Sequence, residues 1–218
     1  MKRGYHVSNK ILSSDDYGVP QYRKRNFFVM SKKSTFDFDS LIKSDTPTVY
    51  DAIHDLYACE KEPFHNDGIY KGIPIGSEPY QQYIRDSELI CNHYISYPSK
   101  ETQEKISYVH QGENWEVIPP ELFRTVRSNR HSSAYRRLDE KKPSCTIDTG
   151  NAHSNYYHPL FNRIPTVREG ARLQSFPDSF VFRGSKSHQY RQVGNAVPPL
   201  MAKALAVAIM EKLDNEEQ

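Results

Sequence analysis

Polar and apolar residues alternate in two runs near the start of the chain. The first run covers residues 5–12 (YHVSNKIL) and the second covers residues 21–30 (QYRKRNFFVM). The intervening SSDDYGVP has the Ser, Asp, Gly and Pro composition of a turn. Because successive residues of a strand project to opposite faces, the two runs predict a long β-hairpin over residues 5–30.

The second run carries three consecutive cations just before Phe27, Phe28 and Val29. One interpretation is that these cations are exposed charges that protect a strand end from aggregation. The other is a face that grips acceptor oxygens, because guanidinium groups bind phosphate and carbonyl groups in a bidentate manner. A period of two sorts the stretch into one face with Gln21, Arg23 and Arg25, and another with Tyr22, Lys24 and Asn26.

Two helices are predicted from capping signals. TPTVYDAIHDL predicts a short helix from Val49 to Tyr57. In PTVREGARLQSFPD, Thr166 and Glu169 have capping-box spacing, and Pro177 ends the helix. Its arginines, Arg168 and Arg172, fall one turn apart, and we expect them to brace the packing between subdomains.

The final helix is predicted from Pro198 and Pro199 onward, because prolines suit a first helical turn. Its apolar residues recur at helical spacing and form a broad face. These residues are Leu200, Met201, Ala204, Leu205, Ala208, Ile209 and Leu213.

Between these elements the sequence is irregular. Residues 58–103 are acidic and rich in Pro, Gly, Tyr and Asn, and they predict no long element. Residues 58–142 together predict a small recognition subdomain or a long functional insertion, because a structureless loop of that size is improbable in a compact core. A strand is predicted from Cys145 to Asp148.

Composition excludes several classes of protein. The chain has 218 residues, 37% of them apolar, and a mean hydropathy of −0.77. No apolar window approaches 18 residues and the first 30 residues do not resemble a secretory signal, so we expect a cytoplasmic location. Three cysteines without a CxxC pair indicate neither a disulfide framework nor a zinc knuckle. His153 and His158 have a spacing that zinc could use, but without paired cysteines we predict no metal site.

The net charge of +2 is unevenly distributed along the chain. Residues 1–33 contain eight Lys or Arg against two Asp or Glu, and residues 120–142 contain seven against three. Residues 34–119 are acidic, with six against fifteen. If the fold joins the two basic blocks, a polyanion partner is expected; otherwise they are two separate solvated faces.

The motifs, taken together and in order, resemble those of DNA (cytosine-5) methyltransferases. YGVPQYRKRNFFV is similar to the Gln-x-Arg-x-Arg motif of that family, and KKPSCTI followed by HPLFNRIPTVREGARLQSFPDSF is similar to its next block. YRQVGNAVPP with the helix after it is similar to the Gly-Asn-(Ser or Ala)-Val block. The resemblance extends over nearly the whole chain.

The resemblance implies roles for individual residues. Arg25 would contact the carbonyl oxygen of a cytosine flipped out of duplex DNA, while Arg23 would reach a phosphate or brace the active-site loop, with support from Gln21. Gly194, Asn195, Ala196 and Val197 would approach S-adenosyl-L-methionine or the phosphate of the flipped nucleotide. The candidates for DNA contact are Arg124, Arg127, Asn129, Arg130, Arg136 and Arg137, although a solvated basic loop is the alternative.

Three motifs of that family are absent from the chain: the Phe-x-Gly-x-Gly cofactor loop, the Pro-Cys nucleophile and the Glu-Asn-Val motif. Cys145 stands where relatives often have Pro, and we interpret it as a small strand residue rather than a nucleophile. We therefore expect the C-terminal subunit or fragment of a restriction-modification type of methyltransferase, inactive alone, whose N-terminal half lies on a separate chain. The alternative is a catalytically inactive, stand-alone DNA-binding remnant.

The same resemblance implies an α/β fold, a partial S-adenosylmethionine-dependent methyltransferase fold with an irregular target-recognition subdomain. Residues 1–57 would form the C-terminal strands of the catalytic domain and a connecting helix, and residues 58–142 the target recognition region. Residues 143–218 would return to the catalytic domain with the C-terminal helix. Since that helix would lack its neighbouring sheet, we expect Leu200, Leu205 and Ile209 to be incompletely buried.

Overall fold

The two alternating runs form an antiparallel hairpin in the computed structural model, which describes residues 4–61, 68–123, 135–147 and 156–217. Strand β1 is His6–Ser13 and strand β2 is Lys24–Ser31, paired so that His6 lies opposite Ser31. Burial alternates along β2, with one half-buried face and one exposed face. The predicted hairpin and its two faces are therefore confirmed. The strand is covered on one face only, since Phe28 is 61% exposed.

The first helix begins where its capping signal predicts and ends early. Helix α1 is Val49–Ile53, and Thr48 and Asp51 form a capping box at its start. The chain then tightens into a 3-10 helix over His54–Lys61. The predicted α-helix to Tyr57 is therefore correct in place, but its second half has the tighter hydrogen-bonding pattern.

The middle of the chain contains only short elements in its described part, as the irregular sequence predicted. The predicted strand from Cys145 to Asp148 is wrong over its described residues: Ser144 makes one parallel bridge with Gln21, residues 145–147 are irregular, and Asp148 lies outside the described ranges. The elements are β3 (Tyr70–Lys71), α2 (Pro79–Ile84), β4 (Leu89–Ile90), α3 (Lys100–Ser107), β5 (Arg136–Arg137) and β6 (Tyr156–Tyr157).

The C-terminal region has one helix more than the pattern predicts. Helix α4 is Val167–Leu173, with the predicted capping box, and α6 is Pro199–Glu217. Between them lies α5, Lys186–Asn195, capped by the Ser185 hydroxyl. Gly194 and Asn195 therefore end α5, a helix that the sequence analysis did not predict. The Ser185 cap and the spacing of Tyr190 and Val193 were the local signals for α5.

Buried apolar residues form separate cores that hold the site in place. The larger core draws on all three predicted segments, including Ile53, Ile84 and Leu173. The second core packs the hairpin against α6, where Met201 is fully buried. A smaller third core includes Ile106. The expectation for α6 is confirmed, since Leu200, Leu205 and Ile209 are only partly buried.

Among the described residues, the C-terminal stretch Lys186–Glu216 is long and apolar enough, by length and composition alone, to cross a membrane. The stretch is interrupted between α5 and α6 by Ala196, Val197 and Pro198. Its α6 part also packs Met201 and Ala208 into the second core. This stretch is therefore explained as the packed helices of a folded domain, and it is weak evidence for a membrane span.

Candidate functional site

The charged strand begins in a tight turn that brings it to the C-terminal segments. Gly18 has a φ of +74°, a conformation that favours glycine. A β-carbon there would lie 3.7 Å from Leu200 Cδ1, so the turn also packs closely on α6. After the turn, the Tyr22 amide donates to the Ser144 carbonyl at 2.8 Å, and the Ser144 amide donates to the Pro20 carbonyl at 3.0 Å. The start of the charged strand is thus fixed against residues 144–146.

Gln21 is fully buried and joins two distant segments. Its amide nitrogen donates to the Leu173 carbonyl at the end of α4, at 3.3 Å. Its amide oxygen accepts from the Ile147 backbone N–H, also at 3.3 Å. The Ser14 hydroxyl binds the Gln21 carbonyl at 2.5 Å. The supporting role that the resemblance implied for Gln21 therefore has a geometric basis, because both ends of its amide are used.

Arg23 is almost fully buried, at 1% exposure, and it joins the two motifs. Its Nη1 donates to the Ile147 carbonyl at 2.9 Å, and its Nη2 donates to the Gly194 carbonyl. Gly194 is the first residue of the GNAV block, so the charged strand and the C-terminal motif are in direct contact. Of the two roles the sequence left open for Arg23, phosphate contact or bracing, this geometry favours bracing.

Arg25 lies on the same face, two residues further along, and is only partly buried. Its Nη1 donates to the carbonyl of the adjacent Lys24 at 2.8 Å. The guanidinium thus lies at the surface, beside a strand that its neighbours hold rigidly. A cation in this position has donors available for an incoming acceptor.

The GNAV segment turns from one helix to the next beside this strand. Gly194 is buried, whereas Asn195 and Val197 are exposed. Ala196 caps α5, with its amide donating to the Val193 carbonyl at 3.3 Å. The structure therefore brings Gly194 to Arg23 and leaves the Asn195 side chain facing outward.

A buried ionic network fixes α4, which in turn positions Gln21. Arg172 binds Asp178 through two nitrogens, at 2.9 and 2.7 Å, and Asp55 at 2.6 Å. Arg168 donates to the carbonyls of Cys91 and Phe180, at 2.8 and 2.7 Å. Both arginines are fully buried. The expectation that they brace the packing is confirmed, since they join α4 to segments far away in sequence.

A second ionic group lies at the start of α4. Burial would by itself raise the pKa of Glu169, but the Arg163 guanidinium, 2.8 Å away, holds that pKa well below its usual range. Burial lowers the pKa of His93 to about 3 and that of His158 well below its ordinary value. Both imidazoles are therefore neutral at pH 7, and the carboxylate is charged.

The candidate DNA-contact residues divide into three groups. Arg124, Arg127, Asn129 and Arg130 lie outside the described residues. Arg136 is exposed. Arg137 is buried and donates to the carbonyls of Val109 and Ile106, at 2.5 and 2.8 Å, and to Asn162 Oδ1 at 2.7 Å. Its guanidinium therefore stabilises the packing around it from inside the protein.

An open cleft of about 420 Å³ separates Arg136 from the start of the charged strand. Tyr22, Lys142 and Thr146 are among the residues that line it. Thr146 donates to the Tyr22 carbonyl at 2.7 Å, so the wall is held by hydrogen bonds. Arg136 and Lys142, from the second basic block, thus share one cleft with Tyr22, which belongs to the first block.

Sequence reasoning missed the residues that hold this wall. Ser144 and Thr146 each donate a side-chain hydroxyl to a carbonyl of the charged segment, Pro20 and Tyr22 respectively. Their spacing of two residues could have indicated this role, because it places both hydroxyls on one side of an extended chain. Gln174, at the end of α4, donates to the Val193 carbonyl and ties α4 to α5. No local pattern indicates that contact.

The described residues contain no group of three or more His, Cys, Asp or Glu placed to hold a metal ion. Of the two histidines with zinc spacing, His153 lies outside the described ranges. His158 is buried, and its Nδ1 accepts from the amides of Leu160 and Phe161, each at 3.1 Å. His158 therefore stabilises a turn.

Curated proteins similar to this chain are type II DNA methyltransferases. The chain is 36% identical to type II methyltransferase M1.HphI of Haemophilus parahaemolyticus, over 98% of this chain and 50% of that protein. It is 30% identical to type II methyltransferase M.DdeI of Desulfomicrobium norvegicum, over 97% of this chain and 56% of that protein. The chain thus spans about half the length of the curated relatives it matches.

The fold has a solved counterpart in a prophage-encoded E. coli protein assigned as a DNA modification methyltransferase, with a TM-score of 0.75. The match covers 98% of this chain and 62% of that one, at 24% identity, and it shows that the two share a methyltransferase-like α/β fold. The family model of C-5 cytosine-specific DNA methylase matches residues 1–211. Its match to nearly the whole length establishes that this chain belongs to the C-5 cytosine-specific DNA methylase family.

Proposed function

We propose that this chain is the C-terminal subunit or fragment of a DNA (cytosine-5) methyltransferase, and that it holds the flipped cytosine and contacts the duplex. The observation that carries the proposal is the hydrogen bond from Arg23 to the Gly194 carbonyl. This bond joins the Gln-x-Arg-x-Arg strand to the GNAV segment, and it leaves Arg25 and Asn195 accessible beside it.

In the proposed site, the Arg25 guanidinium donates to the carbonyl oxygen of a cytosine that has left the duplex. A charge-assisted hydrogen bond of this kind contributes roughly 1.5 to 3 kcal/mol. Gln21 and Arg23 do not touch the base. They hold the strand in place, so that the backbone of Arg25 has a fixed position. The thiolate that attacks cytosine C6 would come from a complementary half, because this chain has no Pro-Cys motif.

S-Adenosyl-L-methionine supplies the methyl group when it is bound to enzymes of this family. The residues that would contact it here are Asn195 and Val197, whose side chains are exposed, with Gly194 and Ala196 forming the backbone between them. An amide and an apolar side chain suit one wall of such a site. The remaining walls are assigned to the complementary half.

The DNA would lie across the cleft between Tyr22 and Arg136. Arg136 and Lys142 line this cleft, and phosphate contacts supply a large share of the affinity in protein–DNA complexes. We assign residues 58–142 to target recognition, with Arg136 at its described edge and Arg124, Arg127, Asn129 and Arg130 in the basic stretch that precedes it.

The complementary half is proposed to be a separate chain in the same cytoplasmic compartment. The test mixes this chain with each of two polypeptides: the product of the neighbouring reading frame, and the half of M1.HphI that this chain does not match. Transfer of labelled methyl groups to duplex DNA is measured for each component and each mixture. We expect transfer only in a mixture, because the cytosine-holding arginine and the nucleophile are then both present.

Salt-sensitive DNA binding without methyl transfer in any mixture would contradict this proposal and favour the inactive DNA-binding remnant. Transfer by this chain alone would contradict the assignment of the nucleophile to a complementary half. DNA binding is measured on the same samples as methyl transfer, so that a loss of DNA binding can be distinguished from a loss of catalysis.

A further inference from the structure

Helix α4 ends in a turn where a serine takes a conformation that favours glycine. The Ser175 amide donates to the Arg172 carbonyl at 2.9 Å, and the Phe176 amide donates to the Ala171 carbonyl at 3.0 Å. These two hydrogen bonds form a Schellman motif, in which the residue after the cap is left-handed and is usually glycine. Ser175 has a φ of +62° and is fully buried. A side chain at such a position indicates that its hydroxyl has a use.

The Ser175 hydroxyl binds the start of the last helix. Its Oγ accepts from the Leu200 amide at 3.1 Å. Amides in the first turn of a helix have no acceptor within that helix. Because Pro198 and Pro199 have no N–H, Leu200 carries the first amide of α6 that can be anchored. One residue therefore ends α4 and caps α6.

The preceding residue, Gln174, holds the other end of the same connection. Gln174 is fully buried, and its side-chain amide donates to the Val193 carbonyl near the end of α5. Arg23 donates to the next carbonyl, that of Gly194. The Gln174 amide oxygen has no hydrogen-bond partner in the described part of the chain. Because burial of an unpaired amide oxygen lowers stability, the position that Gln174 gives to Val193 explains it better than stability does.

The connection between α5 and α6 is thus fixed at both ends by two adjacent residues. Val193 and Leu200 are anchored, and the prolines at 198 and 199 have a fixed φ. The backbone freedom of the connection is therefore confined to residues 195–197. The Asn195 side chain is exposed within this stretch, so its direction depends on the two anchors.

We propose that Gln174 and Ser175 are positioning residues for the GNAV segment, and that they direct Asn195 and Val197 toward the cofactor. This inference rests on the proposed function, which assigns those two side chains to S-adenosyl-L-methionine. Gln174 and Ser175 would not touch the cofactor, because both are buried and reach the connection only through its backbone. Loss of either anchor widens the range of Asn195 positions and weakens cofactor binding.

Two variants of Ser175 separate anchoring from stability. Ser175→Gly removes the hydroxyl but suits the left-handed conformation, so relief of strain offsets the loss of the cap. Ser175→Thr keeps the hydroxyl, but a branched side chain is disfavoured at positive φ. We therefore expect Ser175→Gly to keep the urea midpoint of the unsubstituted chain and Ser175→Thr to lower it.

Amide hydrogen exchange measures the anchors on this chain alone. In Ser175→Gly the amides of Ala196 and Leu200 should exchange at least about tenfold faster, because the connection opens locally. In Ser175→Thr the same rates should change by less than about threefold. Gln174→Leu removes the other anchor and should accelerate Ala196 more than Leu200. Amides of α3, which packs in the third core, should not change in any variant.

Methyl transfer in the active mixture measures the consequence for the cofactor. Ser175→Gly should raise the KM for S-adenosyl-L-methionine by about fivefold or more and change kcat by less than about twofold. Ser175→Thr should leave both within about twofold of the unsubstituted protein, although it is the less stable variant. Ser40→Gly is the matched control, because it removes an exposed hydroxyl that donates to the Asp37 carbonyl. It should change neither the exchange rates nor KM.

The outcomes distinguish this inference from the proposed function. Faster exchange and a higher KM in Ser175→Gly, with Ser175→Thr normal in both, would support the inference. Unchanged exchange in Ser175→Gly, faster exchange with an unchanged KM, or a KM that follows stability would overturn it and leave the proposed function intact.

A failure of methyl transfer in every mixture would contradict the proposed function. The demethylated cofactor, S-adenosyl-L-homocysteine, is then titrated into the same mixtures by calorimetry. A Kd raised about fivefold or more in Ser175→Gly, and unchanged in Ser175→Thr, would still support the inference. Equal binding by the variants, or no binding, would overturn it.

Discussion

At the scale of single residues, Arg23 and Arg25 show how two identical side chains on one strand face acquire different roles. Arg23 is 1% exposed and donates to the carbonyls of Ile147 and Gly194. Arg25 is partly exposed and donates to the adjacent Lys24 carbonyl. The first arginine holds the chain together and the second remains available to bind a ligand.

We therefore expect opposite responses from Arg23→Ala and Arg25→Ala. Arg23→Ala leaves two buried carbonyls without their donor and should lower the free energy of unfolding by about 2 to 4 kcal/mol. Arg25→Ala should change the free energy of unfolding by less than about 0.5 kcal/mol. It should nevertheless reduce methyl transfer by roughly 10- to 150-fold in the active mixture. Urea denaturation and label transfer measure the two effects. A loss of duplex affinity equal to the loss of transfer would mean that Arg25 is a phosphate contact.

The buried histidines predict a pH dependence. The folded-state pKa of His93 is about 3, because burial disfavours its charged form, against an ordinary value of 6.5. Below pH 6.5 the unfolded chain binds a proton that the folded chain does not, so stability is complete above that pH and is lost as the pH falls toward 3. His93 alone should lower the free energy of unfolding by about 2 kcal/mol between pH 7 and pH 5.

His158, whose pKa is also lowered, should add to this loss. Urea denaturation at pH 7, 6 and 5 measures it, with His93→Gln as the comparison. The variant should show a shallower dependence on pH. Equal dependence in the two proteins would show that His93 is not the titrating group.

At the scale of elements, α4 is the support on which the charged strand depends. Its C-terminal carbonyl, that of Leu173, binds Gln21, and its interior Arg172 is neutralised by Asp55 and Asp178. The network joins α4 to the 3-10 helix that follows α1. Loss of one charge within it removes the closest counter-ion of its buried partners, which is more costly than replacement of the whole network by apolar residues.

Arg172→Met should accordingly destabilise the fold by about 3 to 5 kcal/mol, since Asp55 and Asp178 lose their shortest ion pairs and keep only longer ones, among them those to Arg85 at 3.4 and 3.7 Å. Arg191→Met, on an exposed position of α5, is the matched control and should change stability by less than about 0.5 kcal/mol. Thermal and urea denaturation measure both variants. A small effect of Arg172→Met would contradict the view that this network holds α4 in place.

At the scale of the whole molecule, two sequence blocks separated by an acidic segment contribute residues to one cleft. Arg136 and Lys142 come from the second block, and Tyr22 belongs to the first. Arg137, although adjacent to Arg136 in sequence, is directed into the protein. The proposed DNA-contact surface therefore contains fewer cations than the second basic block of the sequence.

Duplex binding should reflect this arrangement. Arg136→Ala should reduce the slope of log K against log salt concentration by about 0.9, the value of one phosphate contact. Lys203→Ala on α6, which does not line the cleft, should leave the slope unchanged. Titrations of a labelled duplex at several salt concentrations measure both slopes. An unchanged slope for Arg136→Ala would exclude this residue from the phosphate contacts.

Local patterns were sufficient for much of the fold. The hairpin, the capping boxes of α1 and α4 and the apolar face of α6 follow from periodicity and capping, which act within a few residues. The same reasoning placed Gln21, Arg23 and Arg25 on one face, and burial confirms that grouping. It missed α5. It also predicted a strand from Cys145 to Asp148, where the described residues are irregular and the Ser144 and Thr146 hydroxyls instead donate hydrogen bonds to carbonyls.

The sequence by itself determined that a charged strand and a C-terminal motif belong to one family of enzymes, because motif order is a property of the chain. Only the tertiary structure decided which arginine is accessible. Arg23 and Arg25 are equivalent in a pattern with a period of two, and their difference arises because the carbonyls of Ile147 and Gly194, more than 120 residues away, surround only the first. Contacts over such distances are determined by packing, which no local spacing encodes.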